Sequence, residues 1–176
     1  MVTILVVEDS SVDRMLIGGL LAKEGVTNDG DWEIEFACDG QEALTRLNAA
    51  NRSGIDLIVT DLQMPNLDGL GLVKEIRRTQ PQLPVILITS QGSEEIAIEA
   101  LRAGATSYSP KSMLRTDLVR TIRQILVMAS YMKYESDAQA HPALRPHAPP
   151  LRLPLRDKPP LHLQGERFRQ KHGKCP

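Results

Sequence analysis

Five residues able to do chemistry stand at the ends of apolar runs or just past them. Glu8 and Asp9 follow "VTILVV" (2–7), Asp61 follows Leu57–Ile58–Val59–Thr60, Thr89 closes "PVILIT" (84–89), and Lys111 lies just beyond "ATSYS" (105–109). If those runs are neighbouring strands, three carboxylates, a hydroxyl and an ammonium crowd one rim. Two carboxylates about 4 Å apart repel by roughly 4 kcal/mol at an effective dielectric near 20, and a third makes this worse. Either some of the acids hold protons or a cation sits among them. An all-oxygen ligand set with few donors favours a hard divalent ion, with Mg²⁺ keeping several waters and awaiting a phosphate. Each residue also has an ordinary use. Glu8 and Asp9 suit the positive end of a helix, Asp61 an Asx turn, Thr89 a cap and Lys111 a solvated surface. The coincidence of all five on one rim outweighs the separate uses.

The elements that must hold this rim can be read from periodicity. The runs at 2–7, 56–60 and 84–89 are nearly continuous in apolar residues, as strands of a parallel sheet covered on both faces are. "WEIEFA" (32–37) alternates and reads as a half-exposed edge strand, and 105–109 is a weaker fifth strand. Between them the period becomes helical. Val12, Met15, Leu16, Gly19 and Leu20 form one stripe, with Ser10 or Ser11 as N-cap. Ala43, Leu44 and Leu47 form a second after Asp39–Gly40, and Leu70, Val73 and Ile76 a third stopped by Pro81. Ala97, Ala100 and Leu101 form a fourth, capped by Ser93 and ended by Gly104. Leu118, Ile122, Ile125, Leu126 and Ala129 form a fifth, beginning after Thr116. The order βαβαβαβαβα requires right-handed crossovers and a parallel sheet between helices. In open sheets of this kind ligands bind outside the carboxyl ends of the strands.

Bulk composition sets the outer limits. A chain of 176 residues, 41% hydrophobic and 24% charged, has room for one ordinary domain and something extra. The formal charge of −1 hides a split: residues 1–137 carry 20 acids against 13 Lys and Arg, and residues 138–176 carry 8 Lys and Arg against 2 acids. Eight of the 12 prolines and all four histidines fall in that last stretch, which has no apolar period and reads as a disordered, Pro-rich basic tail. Cys38 and Cys175 make neither a disulfide framework nor a metal spacing, so a reducing compartment is expected. No run approaches the roughly 18 apolar residues needed to span a bilayer. The start of the chain turns acidic at Glu8 and lacks a basic region, unlike a signal peptide. The cytoplasm is the expected location, with no membrane partner.

These segments resemble the receiver domains of two-component response regulators, a bacterial signalling family. The resemblance runs from about Thr3 to Lys133 and rests on "VVEDS", "VTDLQMPNLDGL", "PVILITSQG" and "AGATSYSPK". The spacings agree too, with 28 residues from Asp61 to Thr89 and 22 more to Lys111. It implies a three-layer α/β/α doubly wound (βα)5 flavodoxin-like fold with a parallel five-stranded sheet of order 2-1-3-4-5. The receiver domain would cover 1–134 and the basic tail 135–176.

The same resemblance assigns chemistry. Asp61 would be the phosphoacceptor, taking a phosphoryl group from a phosphohistidine on a sensor histidine kinase or phosphotransfer protein. Mg²⁺ (or Mn²⁺) would be held by Asp9, Asp61 and the backbone carbonyl of Gln63, with Glu8 acting through water. Lys111 would pair first with Asp61 and later with a phosphoryl oxygen. Thr89 would turn its hydroxyl toward the phosphoryl group, small Ser90 leaving room, and Tyr108 would follow Thr89 inward. Pro65 and Gly69 would shape the loop that aims Asp61, while Gln63, Met64 and Gln91 flank the pocket with Ser90. One position departs from the pattern: receivers usually place Pro after the lysine, whereas Pro110 precedes Lys111 and Ser112 follows. A cis bond before Ser112 would cost about 2.5–4 kcal/mol, so trans is expected.

Phosphorylation adds close to two negative charges, which Thr89 and Tyr108 would convert into a changed α4-β5-α5 face for a downstream protein partner. Val127, Met128 and Tyr131 form a second apolar strip near the end of the fifth helix, suited to a homodimer. Phe168 is the lone aromatic of the basic tail, so the base-stacking of nucleic-acid binders is missing and nucleic acid is not an expected partner.

Rival readings remain. The resemblance extends to longer regulators with an ATP-binding output module, and nothing after Lys133 looks like one, so the chain reads alternatively as a truncated regulator. A pseudo-receiver adaptor would not need the intact acid set. A phosphatase using an aspartyl-phosphate needs a second acid two residues past its nucleophile, where this chain has Gln63. A dinucleotide module needs glycines where "VVEDSSVD" has acids. The module is expected not to be an enzyme beyond its own phosphotransfer and dephosphorylation.

Overall fold

Val2–Val7 forms a strand because the four consecutive apolar residues after Thr3, Ile4 to Val7, can be buried on both sides of a sheet, and in the computed structural model residues 3–8 are all buried. The structure describes residues 2–25, 32–49, 54–90 and 92–140. In chain order they form β1 (Val2–Val7), α1 (Ser11–Gly25), β2 (Trp32–Ala37), α2 (Gly40–Ala49), β3 (Leu57–Asp61), α3 (Gly69–Thr79), β4 (Val85–Thr89), α4 (Glu94–Ala103), β5 (Ser107–Pro110) and α5 (Val119–Ala140). The strands are all parallel, in the order β2-β1-β3-β4-β5. The α/β order expected from the sequence is the order found.

Strand residues alternate between two cores. Leu5, Val7, Ile58, Val85 and Leu87 face α2, α3 and α4. Ile4, Val6, Leu57, Val59, Ile86 and Ile88 face α1 and α5. Three layers result, and the sheet is covered on both sides, as the continuous apolar runs require. Short polar side chains cap the helices, at Ser10, Asp39 and Ser93 as expected and at Asp68 in addition. Ser10 Oγ accepts from Asp13 N–H at 3.3 Å, Asp39 Oδ1 from Glu42 N–H at 2.8 Å, Asp68 Oδ1 from Gly71 N–H at 2.7 Å and Ser93 Oγ from Ile96 N–H at 3.2 Å. Gly104, at φ 102°, ends α4 in the left-handed region that glycine tolerates.

Three helical expectations need correction. The buried face of α1 is Ile17, Gly18 and Leu21; Val12 and Met15 are 72% and 78% exposed. A helix that is apolar around most of its circumference does not reveal its rotation by periodicity. In α4 only Ala100 of the expected stripe is buried, and Leu101 is 53% exposed. The fifth helix, expected to begin after Thr116, begins at Val119; the chain before it winds as a 3-10 turn (Lys111–Met113) and a π-helical turn (Leu114–Leu118), the latter burying Leu114 and Leu118. Cys38 is disulfide-bonded, where no bridge was expected from the sequence. The basic stretch from residue 141 onward lies outside the described residues.

Candidate functional site

The carboxyl edge of the sheet carries the site. Glu8 directly follows β1, and its N–H donates to Ala37 O of β2 at 3.0 Å, which fixes it against the neighbouring strand. Asp61 is the last residue of β3 and Thr89 the last of β4; Asp61 pairs with Ile88 and Thr89 with Pro110. The chain after Asp61 is held by Leu62 N–H donating to Ile88 O at 2.8 Å and Gly69 N–H donating back to Leu62 O at 2.9 Å. Gly69 is obligatory there, since a Cβ would stand 2.1 Å from the Asp61 carbonyl oxygen. Asn66, at φ 60°, reverses the loop, and its side-chain amide donates to Asp39 Oδ2 at 2.5 Å. The loop is thus tied to the start of α2.

Carboxylate oxygens of Glu8, Asp9 and Asp61 lie within 4.8 Å of one another. Glu8 is fully buried, Asp61 nearly so, and Asp9 is exposed. Lys111 Nζ stands 2.7 Å from Glu8 Oε2 and 3.4 Å from Asp61 Oδ2. Burial raises the Glu8 pKa, and the charge of Asp61 adds to it against the pull of Lys111. Asp61 is likewise raised by burial and by Asp9, against the Lys111 charge and the Leu62 N–H. For Lys111, burial alone would lower the value; hydrogen bonds to Asp13 and Glu8 and the charges of Glu8 and Asp61 outweigh it and raise the pKa. One ammonium therefore faces three carboxylates, Glu8, Asp13 and Asp61, with Asp9 completing the acid cluster on the exposed side.

An all-oxygen cluster of three acids that burial leaves short of counter-charge suits a hard divalent cation. Asp9, the exposed member of the cluster, lines an open cleft of about 660 Å³ together with Leu62, Gln63, Met64, Pro65, Asp68, Leu70 and Glu99. Gln63 is exposed on that cleft and Met64 is partly buried, packing on the core. Ser90 is exposed beside Thr89, which is 1% exposed. Tyr108 is partly buried with its hydroxyl enclosed, with no hydrogen-bond partner among the described residues; Gly92, where a Cβ would meet that oxygen at 3.0 Å, is its neighbour. Gln91 lies outside the described residues. No cis peptide occurs among the described residues.

Two site residues escaped the sequence reading. Asp13 Oδ2 accepts from Lys111 Nζ at 2.7 Å. Arg14 Nη1 donates to Glu8 O at 2.6 Å and Asp9 O at 2.9 Å, bracing the acidic turn. The available signal was position: an acid four residues past Asp9, in the first turn of α1, projects over the rim that Asp9 occupies.

A family model described as the response regulator receiver domain matches residues 4–123. The probable transcriptional regulatory protein TcrX of Mycobacterium tuberculosis is 33% identical over 138 residues, covering 78% of this chain and 55% of TcrX. The transcriptional regulatory protein CpxR of Klebsiella pneumoniae is 34% identical over 137 residues, covering 78% of this chain and 54% of CpxR. This chain spans about half the length of these curated relatives. A solved response regulator receiver domain protein from Clostridium thermocellum matches with a TM-score of 0.66 at 30% identity, over 75% of this chain and 99% of that one.

Proposed function

Because the chain belongs to the response regulator receiver domain family, a family of signalling modules, we propose that it accepts a phosphoryl group on Asp61 and relays it as a change of surface. The observation that carries this reading is the convergence of Glu8, Asp9 and Asp61 within 4.8 Å, with Lys111 3.4 Å from Asp61. An Asp61 oxygen attacks the phosphorus of a phosphohistidine on a kinase or phosphotransfer protein. The P–N bond breaks, its electron pair stays with the imidazole, and an acyl phosphate forms. Such transfer depends on in-line positioning and charge neutralisation. When bound, Mg²⁺ or Mn²⁺ supplies part of that neutralisation; Asp9, Asp61 and the Gln63 carbonyl would hold it, with Glu8 acting through water. Lys111 supplies the protein's own cation to a phosphoryl oxygen. Thr89, at the end of the adjacent strand, donates its hydroxyl to another, and Gln63, Met64, Ser90 and Gln91 flank the opening.

The signal passes from Thr89 through Tyr108 to the face made by α4, β5 and α5, which meets a downstream partner. Val127, Met128 and Tyr131 are exposed on α5 and offer that face a second copy of the chain. The receiver unit spans 1–134 and acts in the cytoplasm; no described helix is long and apolar enough to cross a membrane. Incubation with acetyl phosphate and Mg²⁺ tests the central step. A base-labile adduct is expected that is absent in Asp61→Asn. No adduct, or turnover of many donor equivalents, refutes the reading.

A further inference from the structure

Lys111 has three carboxylate neighbours and an ammonium has three N–H donors. Glu8 Oε2 and Asp13 Oδ2 are each at 2.7 Å, closer than Asp61 Oδ2 at 3.4 Å. A phosphoryl oxygen arriving on Asp61 can take over the long Asp61 contact, but to draw the ammonium close it competes with the two short ones. Glu8 is fully buried, and a buried charge that loses its direct ion partner is costly. The Asp13 side chain is 31% exposed and can be rehydrated when released. It also stands outside the three-acid cluster. Its neighbour Arg14 is engaged with the carbonyls of Glu8 and Asp9. Of the two short contacts, Asp13 is the one the site can let go.

Building on the phosphoacceptor reading, we propose that Asp13 is a positioning residue that holds the Lys111 ammonium in the resting site and competes for it with the incoming phosphoryl group. Asp13 thereby makes the unphosphorylated site more attractive to a cation and less attractive to a phosphoryl oxyanion. A residue that only started α1 would move both affinities the same way, through stability.

The test uses the full chain, wild type and Asp13→Asn, with Asp13→Glu as the conservative rescue. Mg²⁺ is titrated by calorimetry, and beryllofluoride, a phosphoryl mimic, is then titrated at saturating Mg²⁺ by fluorine NMR. For one charge removed a few ångströms from the site, Asp13→Asn is expected to weaken Mg²⁺ and tighten beryllofluoride, each by roughly three- to tenfold. Asp13→Glu should return both toward wild type. Unchanged or weaker beryllofluoride binding in Asp13→Asn overturns the proposal while leaving the phosphoacceptor reading intact. A wild type that binds neither probe overturns both. A second measurement needs no variant: the Asp13 carboxyl carbon resonance of the wild type should move to that of a solvated aspartate when beryllofluoride binds. A resonance that stays in place refutes the release of Asp13.

Discussion

A buried carboxylate prefers its neutral form unless a cation compensates it, and at this rim one lysine serves Glu8, Asp61 and Asp13 together. The raised Glu8 and Asp61 values fix the sign of a pH effect. An acid whose folded pKa is raised holds more protons folded than unfolded, so stability falls as pH climbs from the ordinary carboxylate range through the raised value. The metal-free chain should therefore lose urea resistance across that window, and Asp61→Asn should flatten the slope. Mg²⁺ at a hundred times its Kd should add about 2.7 kcal/mol to the wild type and much less to Asp61→Asn. Denaturation at several pH values, with and without Mg²⁺, measures this; an Mg²⁺ response that Asp61→Asn leaves unaltered would remove Asp61 from the metal site. Glu8, Asp9, Asp61 and Lys111 were legible because each is anchored at or just past a strand end, and strand ends are readable. Asp13 and Arg14 were not. Their position depends on how α1 is rotated, and a helix with Val12 and Met15 on one side and Ile17 and Leu21 on another does not declare a single apolar face.

At the scale of elements, the β3–α3 loop is where sequence and packing constrain each other most tightly. With a Cβ at residue 69 placed 2.1 Å from the Asp61 carbonyl, Gly69→Ala must push the loop or the strand end aside. Overpacking of this kind costs about 1–3 kcal/mol, and here the displaced group is the reactive acid. Lower denaturant resistance and loss of Mg²⁺ binding together are expected; a variant with normal Mg²⁺ affinity would show that the loop can shift without moving Asp61. The other end of the same brace is Asp39. Burial alone would raise its pKa, but the N–H groups of Glu42 and Gln41 and the Asn66 amide outweigh that and lower it. Its contribution is thus present above the ordinary aspartate value and is lost as pH falls through the lower folded one. Asp39→Ala should cost about 0.5–2 kcal/mol at neutral pH, with the gap to wild type closing in acid. Equal gaps at pH 7 and in acid would contradict the capping role. The strands and caps were readable because a continuous apolar run or a short polar residue acts locally. The winding of Lys111–Leu118 was not, because burying Leu114 and Leu118 against the α1 side of the sheet is a tertiary demand.

Across the whole molecule, stability and chemistry are anchored at opposite edges of the sheet. Chemistry gathers at the carboxyl ends of the strands. At the amino ends, Arg77 of α3 donates from Nε to Gly104 O at 2.7 Å, from Nη1 to Leu83 O at 2.7 Å and from Nη2 to Thr106 Oγ1 at 3.3 Å. One guanidinium therefore ties α3 to the end of α4 and to the approaches of β4 and β5. Burial lowers its pKa, yet a guanidinium stays charged at any ordinary pH, so the clamp does not titrate. Arg77→Ala leaves two backbone carbonyls without their donor. Hydrogen bonds to charged groups are each worth about 1.5–3 kcal/mol and are not additive, which points to a loss of about 2–4 kcal/mol. The loss should be local in its dynamics: amide hydrogen exchange should speed up most from the end of α4 through β5, the elements proposed to carry the signal. Mg²⁺ affinity should stay near wild type, because the acid cluster is held by β1, β3 and α1 at the other edge. A fall in Mg²⁺ affinity matching the fall in stability would mean that the two edges are coupled through the sheet, and that the output face and the acid site cannot be adjusted independently.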